Sequence, residues 1–524
     1  MGEETAVSVE SKWEVPANIR RLSFALIVIS FINFIIAGSF ALLMRTDQAG
    51  VPATTAQVFY QLLTAHGLGM FVGWQFPFAY GISFFLLAYF LKRPLYSYRM
   101  ALAASVITMF SFYAMLVSIG MGFAAGWYYL YPLPFYSANA WTAASTALFL
   151  ASALGTEVGF IVFAYVALRT VYSTKMPGSS QQRFYTQSSL YRFIQSIGLD
   201  AYMPTSTWNK LEPLPIPVIG VVVATIVLLF STPSVMIEQI LGLYQITAPP
   251  FDVNALLAKN LFWLYGHPIV YFAFFMVIGL YYYLMTTFAN RALPSERWAR
   301  VPWPLLLVSG VGVYSHHLYM DVNQPVWINL FSQSMSYLIG FASGLTVFTL
   351  VAVMWRSKFR WSTPSMFIVA SIAGWIIGGF IGEEAGTVAF DVYQHNTYVI
   401  VAHFHFNALA GVMMASFGIL YFLLPLLIHR DFPSKVLGRI HFWASFIGSF
   451  GMSTCFLVLG LLGAPRREAN VVLQTLGFTT TYAIWLDLAL VFALVLGIGQ
   501  LPFLYNLYKV IRAQKETAGG VPVV

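Results

Sequence analysis

The sequence predicts an all-α polytopic membrane protein with about twelve transmembrane helices and both termini in the cytoplasm. Composition is the first observation: of 524 residues, 59% are hydrophobic and only 9% charged, with a mean hydropathy of +0.74. That balance excludes a soluble multidomain protein. The second is the recurrence of apolar runs long enough to cross a bilayer. The third is where the positive charge falls. All Lys and Arg residues except Arg45, Lys259, Arg466 and Arg467 lie at one set of alternate run ends, as topology signals do, and the positive-inside rule puts that side in the cytoplasm.

The runs come in order. Met1 to Pro16 is polar, and the first apolar run, roughly 22–44, is long enough to span, so no cleaved signal peptide is expected. Runs at roughly 57–91, 99–130 and 141–171 follow. A polar insert at about 172–213, enriched in Ser, Gln and Pro, reads as a cytoplasmic surface loop with a short helix, facing a partner or lipid headgroups. Eight further runs lie at roughly 214–242, 254–288, 301–321, 324–356, 364–390, 397–428, 438–462 and 480–511. Several exceed the roughly 20 residues a bilayer needs, so tilt or extension beyond it is expected. The chain is expected to be one domain, 1–524, without internal repeats, which weakens an inverted-repeat transporter reading. The net charge of +8 is a topology signal rather than a nucleic-acid footprint. Cys455 stands alone, which excludes an intrachain disulfide, thiolate-rich metal sites and CxxCH haem attachment within this chain.

Depth sorts the nine histidines. His66 lies about nine residues into the second run and His267 about thirteen into the sixth. His316 and His317 are near the outer end of the seventh run, and His403 and His405 near the outer start of the tenth, just after His395. At about 1.5 Å per residue, all seven fall in the outer half of the membrane or at its edge. His429 and His441 flank an inside loop and are expected to be structural. Ionisable residues within spans default to function, and neutral imidazole suits iron, copper and zinc. His403 and His405, two apart on a helix, point to nearly opposite faces and should serve different partners. His66 facing one of them would give a six-coordinate haem; the other would be a single axial ligand with an open iron position. His267, His316 and His317 then remain, with no carboxylate among them, and suit a copper with an open position. Tyr271 is four residues after His267 on the same helix face, where a phenol can give bound oxygen a proton and an electron.

At these residues the chain resembles subunit I of the haem–copper oxygen reductases, over nearly its whole length. The matching segments are Trp263-Leu-Tyr-Gly266-His267-Pro268-Ile269-Val270-Tyr271, Ser315-His316-His317, His395-Asn396-Thr397 followed by His403-Phe404-His405, and Gly463-Ala464-Pro465-Arg466-Arg467. The resemblance implies two haems and one copper. His66 and His405 would ligate the low-spin haem, His403 the high-spin haem, and His267, His316 and His317 the copper. Tyr271 would be covalently joined to His267, and Arg466 and Arg467 would pair with haem propionates, as Arg binds carboxylates in a two-pronged geometry.

Departures narrow the resemblance. The commonest branch carries a glutamate where this chain has Ile269. The chain looks like the B-type branch instead, with one proton route up spans six and eight. Ser343, Thr346 and Thr349 recur every three residues, and Tyr282 lies eleven beyond Tyr271. A tyrosine expected in that track is Ile278 here. Asp391, four residues before His395, resembles a position that holds a proton on its way out near the propionates. Glu383 and Glu384 could serve the same exit, and Glu157 takes no role.

The implied function is a terminal oxidase in a prokaryotic plasma membrane, reducing oxygen to water and translocating protons. Electrons would come from a quinol or a small redox protein through subunit II, with small membrane subunits and lipids as further partners and no nucleic acid. One rival is a nitric oxide reductase of the same superfamily, which Tyr271 and Ile269 argue against. The other is a twelve-span transporter without a redox centre, which leaves the shared depth of the histidines unexplained.

Overall fold

Hydrocarbon offers no hydrogen bonds, so each apolar run must satisfy its backbone within itself. The chain does so with helices. The computed structural model describes residues 13–51, 54–127, 137, 139–174, 188–210, 212–248, 251–477 and 479–512. Among these there is no strand, only one isolated antiparallel bridge between Thr397 and Pro465.

Eleven helices among the described residues are long and apolar enough to cross a membrane: Ala17–Gln48, Ala56–Phe90, Tyr98–Gly120, Ala143–Tyr172, Ile216–Thr247, Ala255–Ala289, Val326–Met354, Thr363–Ala385, Tyr398–Ile428, Lys435–Leu461 and Thr480–Arg512. They correspond to spans one to six and eight to twelve of the expected set. The seventh run differs. It is an α-helix over Pro302–Gly312 continued by a 3-10 helix over Val313–Leu318. At roughly 1.5 Å per α residue and 2.0 Å per 3-10 residue it extends about 28 Å, close to the thickness of a hydrocarbon core of about 30 Å. The tighter winding gives a short segment the reach of a longer one. Span three is shorter than its run to 130: the helix ends at Gly120, before left-handed Gly122 (φ +104°) and Gly126 (φ +80°). Residues 128–130 lie outside the described ones. So do Lys12, Lys175, Arg183 and Lys515, expected on the positive side.

Helix starts carry short polar caps. Thr55, Ser97, Thr142, Asn254, Thr397 and Ser434 each accept a first-turn backbone N–H. Within the spans, hydroxyls such as Thr225, Thr232 and Ser416 bond the carbonyl one turn back. Spans two and ten each contain a wide π-helical segment, Gly69–Gln75 and Phe406–Met413. Span six steps at His267, where Pro268 has no N–H to give.

Burial separates the centre from the rim. The most apolar stretch of span two is 94% buried, against 22% for span twelve. Rim residues such as Phe110, Phe348, Phe380 and Ile498 point outward, as lipid contact requires. Spans five and six touch backbone to backbone at Gly220 and Gly279, where a Cβ on Gly220 would lie 3.0 Å from the Gly279 Cα.

The insert folds as a short helix, Ser189–Ser196, a 3-10 turn, Leu199–Tyr202, and a final turn, Thr205–Trp208. It is docked against the segment before span seven. Arg297 donates to the Ala201 carbonyl at 2.7 Å, and fully buried Arg300 meets Asp200 at 3.3 Å. Burial pushes the Asp200 carboxyl up to about 6, with Arg300 pulling the other way. Arg300→Ala strands that carboxyl and is expected to loosen the docked insert by about 3–5 kcal/mol. A raised folded pKa means that stability is lost as pH rises through it, so the effect should be smaller below about pH 6. Limited proteolysis of the insert on both sides of that pH measures it.

Candidate functional site

A single cavity of about 510 Å³ gathers His66, His267, His316, His317, His395, His403, His405, Asp391, Arg466 and Arg467. The rest of its wall is largely apolar and aromatic, with Phe34, Phe71, Trp127, Met452 and Phe456 among the lining residues. The shared depth of seven histidines in the sequence is therefore a shared space in the fold.

The imidazoles divide by what their Nδ1 atoms do. His66 Nδ1 lies 3.0 Å from the Ala37 carbonyl, His403 Nδ1 2.9 Å from the Gly378 carbonyl, and His405 Nδ1 2.8 Å from the Val401 carbonyl. A carbonyl only accepts, so Nδ1 carries the hydrogen and Nε2 is left as a bare lone pair. This is the arrangement by which proteins orient metal-ligating histidines. His403 and His405 occupy the same helix two residues apart, and their rings serve different neighbours, Gly378 on span nine for one and Val401 of their own helix for the other.

Three further rings meet head to head. His267 Nδ1 is 2.9 Å from His317 Nε2 and 3.0 Å from His316 Nε2. His316 Nδ1 is held 3.1 Å from the Ser336 hydroxyl, and the His317 ring stacks on Trp263 at 3.7 Å and 8°. One nitrogen cannot hold a hydrogen for two neighbours at once, so a set this close calls for a cation at its centre. It is the one group of three among the described residues whose ligand atoms come within range of a single ion, and it includes no carboxylate. The donor set therefore fits a late first-row ion such as copper. The apolar slot, with bare imidazole nitrogens on its walls and Arg466 and Arg467 beside it, fits flat apolar groups with acidic tails. Tyr271 is buried with its hydroxyl 2.6 Å from His267 Nε2.

The expected proton-track residues lie apart from the cavity lining. Tyr282 donates to Thr346 at 2.9 Å, and Thr349 turns its hydroxyl to the Leu345 carbonyl of its own helix. Ser343 is half-buried, and Ile278, in the gap between Tyr271 and Tyr282, is buried. Asp391 is buried and accepts from His395 Nδ1 at 3.0 Å. His441 is held between Tyr421 and Gln500 within an aromatic cluster, and His429 sits at the surface with Glu14 and Arg20, both away from the cavity lining.

Several contacts that support these residues escape a reading of the sequence. Asn396 accepts from the Arg466 guanidinium at 2.8 Å and also takes the Arg466 backbone N–H, so the loop before span ten and the loop after span eleven clamp each other. Arg467 is held at φ +67°, a conformation a non-glycine residue adopts at some cost. Arg45 and Gln48 at the end of span one both bond the Tyr398 hydroxyl. Span nine carries Gly374, Gly378 and Gly382 at four-residue spacing, and against them lie Ala410, Asn407 and His403 of span ten. That stripe is a legible small-residue packing signal. Ser336 has none: it is one serine of a polar-flecked span. Ser336→Ala frees the His316 ring and is expected to weaken ion retention by the three-histidine group about 10–100-fold, checked by metal analysis of the purified protein during graded chelation.

Comparison with known proteins agrees with this geometry. The profile of a family described as "Cytochrome C and Quinol oxidase polypeptide I" matches residues 21–495. The chain is 28% identical to cytochrome c oxidase subunit 1 of Corynebacterium diphtheriae, over 94% of this chain and 82% of that one. It is 25% identical to the heme-copper oxidase subunit I+III of Aeropyrum pernix, covering 95% of this chain and 58% of that longer one. Among solved structures, a heme-copper terminal oxidase dimer superposes with a TM-score of 0.78 at 20% identity, covering 96% of this chain and 86% of that one, a likeness of fold. With a matching profile over most of its length, the chain belongs to the cytochrome c and quinol oxidase polypeptide I family, the haem- and copper-binding catalytic subunits of terminal oxidases.

Proposed function

We propose that this protein is the oxygen-reducing subunit of a B-type terminal oxidase in a prokaryotic plasma membrane, translocating protons as it turns over. The observation that carries the reading is the meeting of His267, His316 and His317, with Tyr271 at 2.6 Å, beside a cavity that three carbonyl-tethered imidazoles line. His66 and His405 hold the low-spin haem, His403 the high-spin haem, and the three-histidine group the copper. When bound, these groups supply electrons and an open position for oxygen.

The protein's own residues do the rest. Arg466 and Arg467 pair with the haem propionates, with Asp391 and His395 beside them as the outward proton station. With His267 ligating through Nδ1, the hydrogen of its Nε2 faces the phenol oxygen, and the Tyr271 proton stays available to oxygen. The same closeness lets Nε2 join the ring carbon beside that hydroxyl. The join removes two hydrogens with their electrons, which oxygen at the same site accepts. Ile269, where the commonest branch has an acid, and the Tyr282–Thr346 hydrogen bond support a proton route through Tyr282, Ser343, Thr346 and Thr349. The absence of a carboxylate from the three-nitrogen group favours copper and oxygen over the non-haem iron of nitric oxide reduction.

The chain acts as one domain, 1–524, with both termini in the cytoplasm. Protons rise from there to the outer half, so moving them conserves energy. Subunit II brings in electrons from a quinol or a small redox protein, and small membrane subunits and lipids complete the assembly.

Metal analysis with reduced-minus-oxidised and CO-difference spectra on the purified complex tests this reading. Two haems and one copper per chain are expected, with one haem binding CO; non-haem iron in place of copper would move the assignment to nitric oxide reduction, and absence of haem would sink it. Tyr271→Phe is expected to keep all three metals while oxygen consumption falls by about 100-fold or more.

A further inference from the structure

Glu157 stands in the middle of span four, buried, and no role so far uses it. It lines a second, small cavity of about 40 Å³ together with Thr156, Gln239, Tyr265 and Ile269. One of its carboxyl oxygens takes a hydrogen bond from the Tyr265 hydroxyl, while Oε2 is buried with no protein partner. Among the described residues, no Lys, Arg or His lines this cavity, and Tyr265 is the only other titratable side chain in its wall. A carboxyl so placed, with no cation among the described residues of its cavity wall, is costly to keep charged and expensive to leave unbonded. A cavity of this size has room for water, which needs about 10–15 Å³ of such volume and a few polar partners.

The position relates this acid to the larger cavity. His267 and Ile269, two residues apart on span six, point to nearly opposite faces; the first lines the larger cavity and the second the smaller. Phe71 and Trp127 line both, and their rings lie 4.7 Å apart. This aromatic pair therefore stands between the two spaces. On the other side, Gly159, two residues after Glu157, lets Thr108 of span three close against span four. The Tyr80 hydroxyl is 3.3 Å from Thr108 Oγ1, and Ser105 lies a turn further toward the Arg99 end of span three. Buried hydroxyls therefore run from the depth of Glu157 toward the positive side of the bundle.

We propose that Glu157, with water in its cavity, is a proton-relay site that feeds the oxygen-reducing centre past the Phe71–Trp127 partition and is reloaded through the Thr108–Tyr80 hydroxyls. The proposal rests on the oxidase reading above. Reduction of oxygen to water takes up a proton for every electron. Glu157 gives its carboxyl proton toward that centre and regains one from the positive side, with no change in its own oxidation state. It acts through water rather than on the reacting atoms, so it is a relay residue and not a catalytic one.

The test compares the full complex carrying Glu157→Gln, Glu157→Asp or Thr108→Val with the unmodified complex. Three properties are measured: haem and copper content, oxygen consumption, and the carboxylic-acid carbonyl band in redox-difference infrared spectra. Glu157→Gln keeps the hydrogen bond but holds no exchangeable acid. With metals intact, it should lose about tenfold or more in turnover and lose a carboxyl band, with Glu157→Asp recovering part of the rate and shifting the band. Full turnover or an unchanged band in Glu157→Gln overturns the relay. Should Glu157→Gln fail to assemble, Thr108→Val decides: slowed turnover with the band retained supports the relay, and an unchanged rate refutes it. An unmodified complex that lacks haem or consumes no oxygen would instead bring down the oxidase reading.

Discussion

The structure depends on one constraint: a nitrogen buried at membrane depth must be bonded, and a nitrogen meant for a metal must be left bare. Both demands fall on each imidazole. Four of them meet both by giving Nδ1 to a fixed acceptor, a backbone carbonyl for His66, His403 and His405 and a hydroxyl for His316, while His267 turns Nδ1 to the two neighbouring rings and Nε2 to the Tyr271 hydroxyl. Backbone carbonyls inside helices do not rotate, so the bare Nε2 atoms inherit the rigidity of the bundle. This explains why spans one, nine and ten must pack as closely as they do. The acceptor for His403 is the Gly378 carbonyl of span nine, and His403 itself lies against Gly382 one turn away, so a shift between these helices would move acceptor and ring together.

Much of this was legible in the sequence, because membrane insertion leaves few ways to read an apolar run and few reasons to bury a histidine. The spans, the one-sided positive charge and the gathering of His66, His267, His316, His317, His403 and His405 around a single cavity all follow from composition, order and depth. The glycine stripe of span nine was visible as spacing, but spacing alone does not name the helix it receives. The rest was hidden for physical reasons. The seventh run ends in a 3-10 continuation that hydropathy cannot distinguish from an α-helix. Ser336 and Tyr398 act through contacts made across 20 and roughly 350 residues of sequence, and no local pattern marks them; Asn396 stands in a legible motif, but its contact with Arg466, 70 residues away, is not written there.

Buried acids divide in the same terms. Asp391 has His395, and Asp200 has Arg300. Glu157 has only a phenol, and Glu238 in span five is buried with both carboxyl oxygens unpaired. In a bilayer, such groups are retained against a standing cost. Spans four and five therefore each hold a buried acid although neither lends a histidine to the large cavity.

The wide π-helical segments after His66 and His405 have a consequence for how the two helices are specified. Each extra residue in a turn rotates all that follows by about 100° relative to an uninterrupted α-helix. The stretch carrying the imidazole and the stretch beyond the wide turn are therefore out of phase, like two rods spliced with a twist. The first can be keyed to the cavity while the second is keyed to its neighbours, with Phe76 and Tyr80 beyond one splice and Phe417 and Tyr421 beyond the other packed into aromatic clusters. Ligand geometry and core packing are thus free to change independently along the same helix.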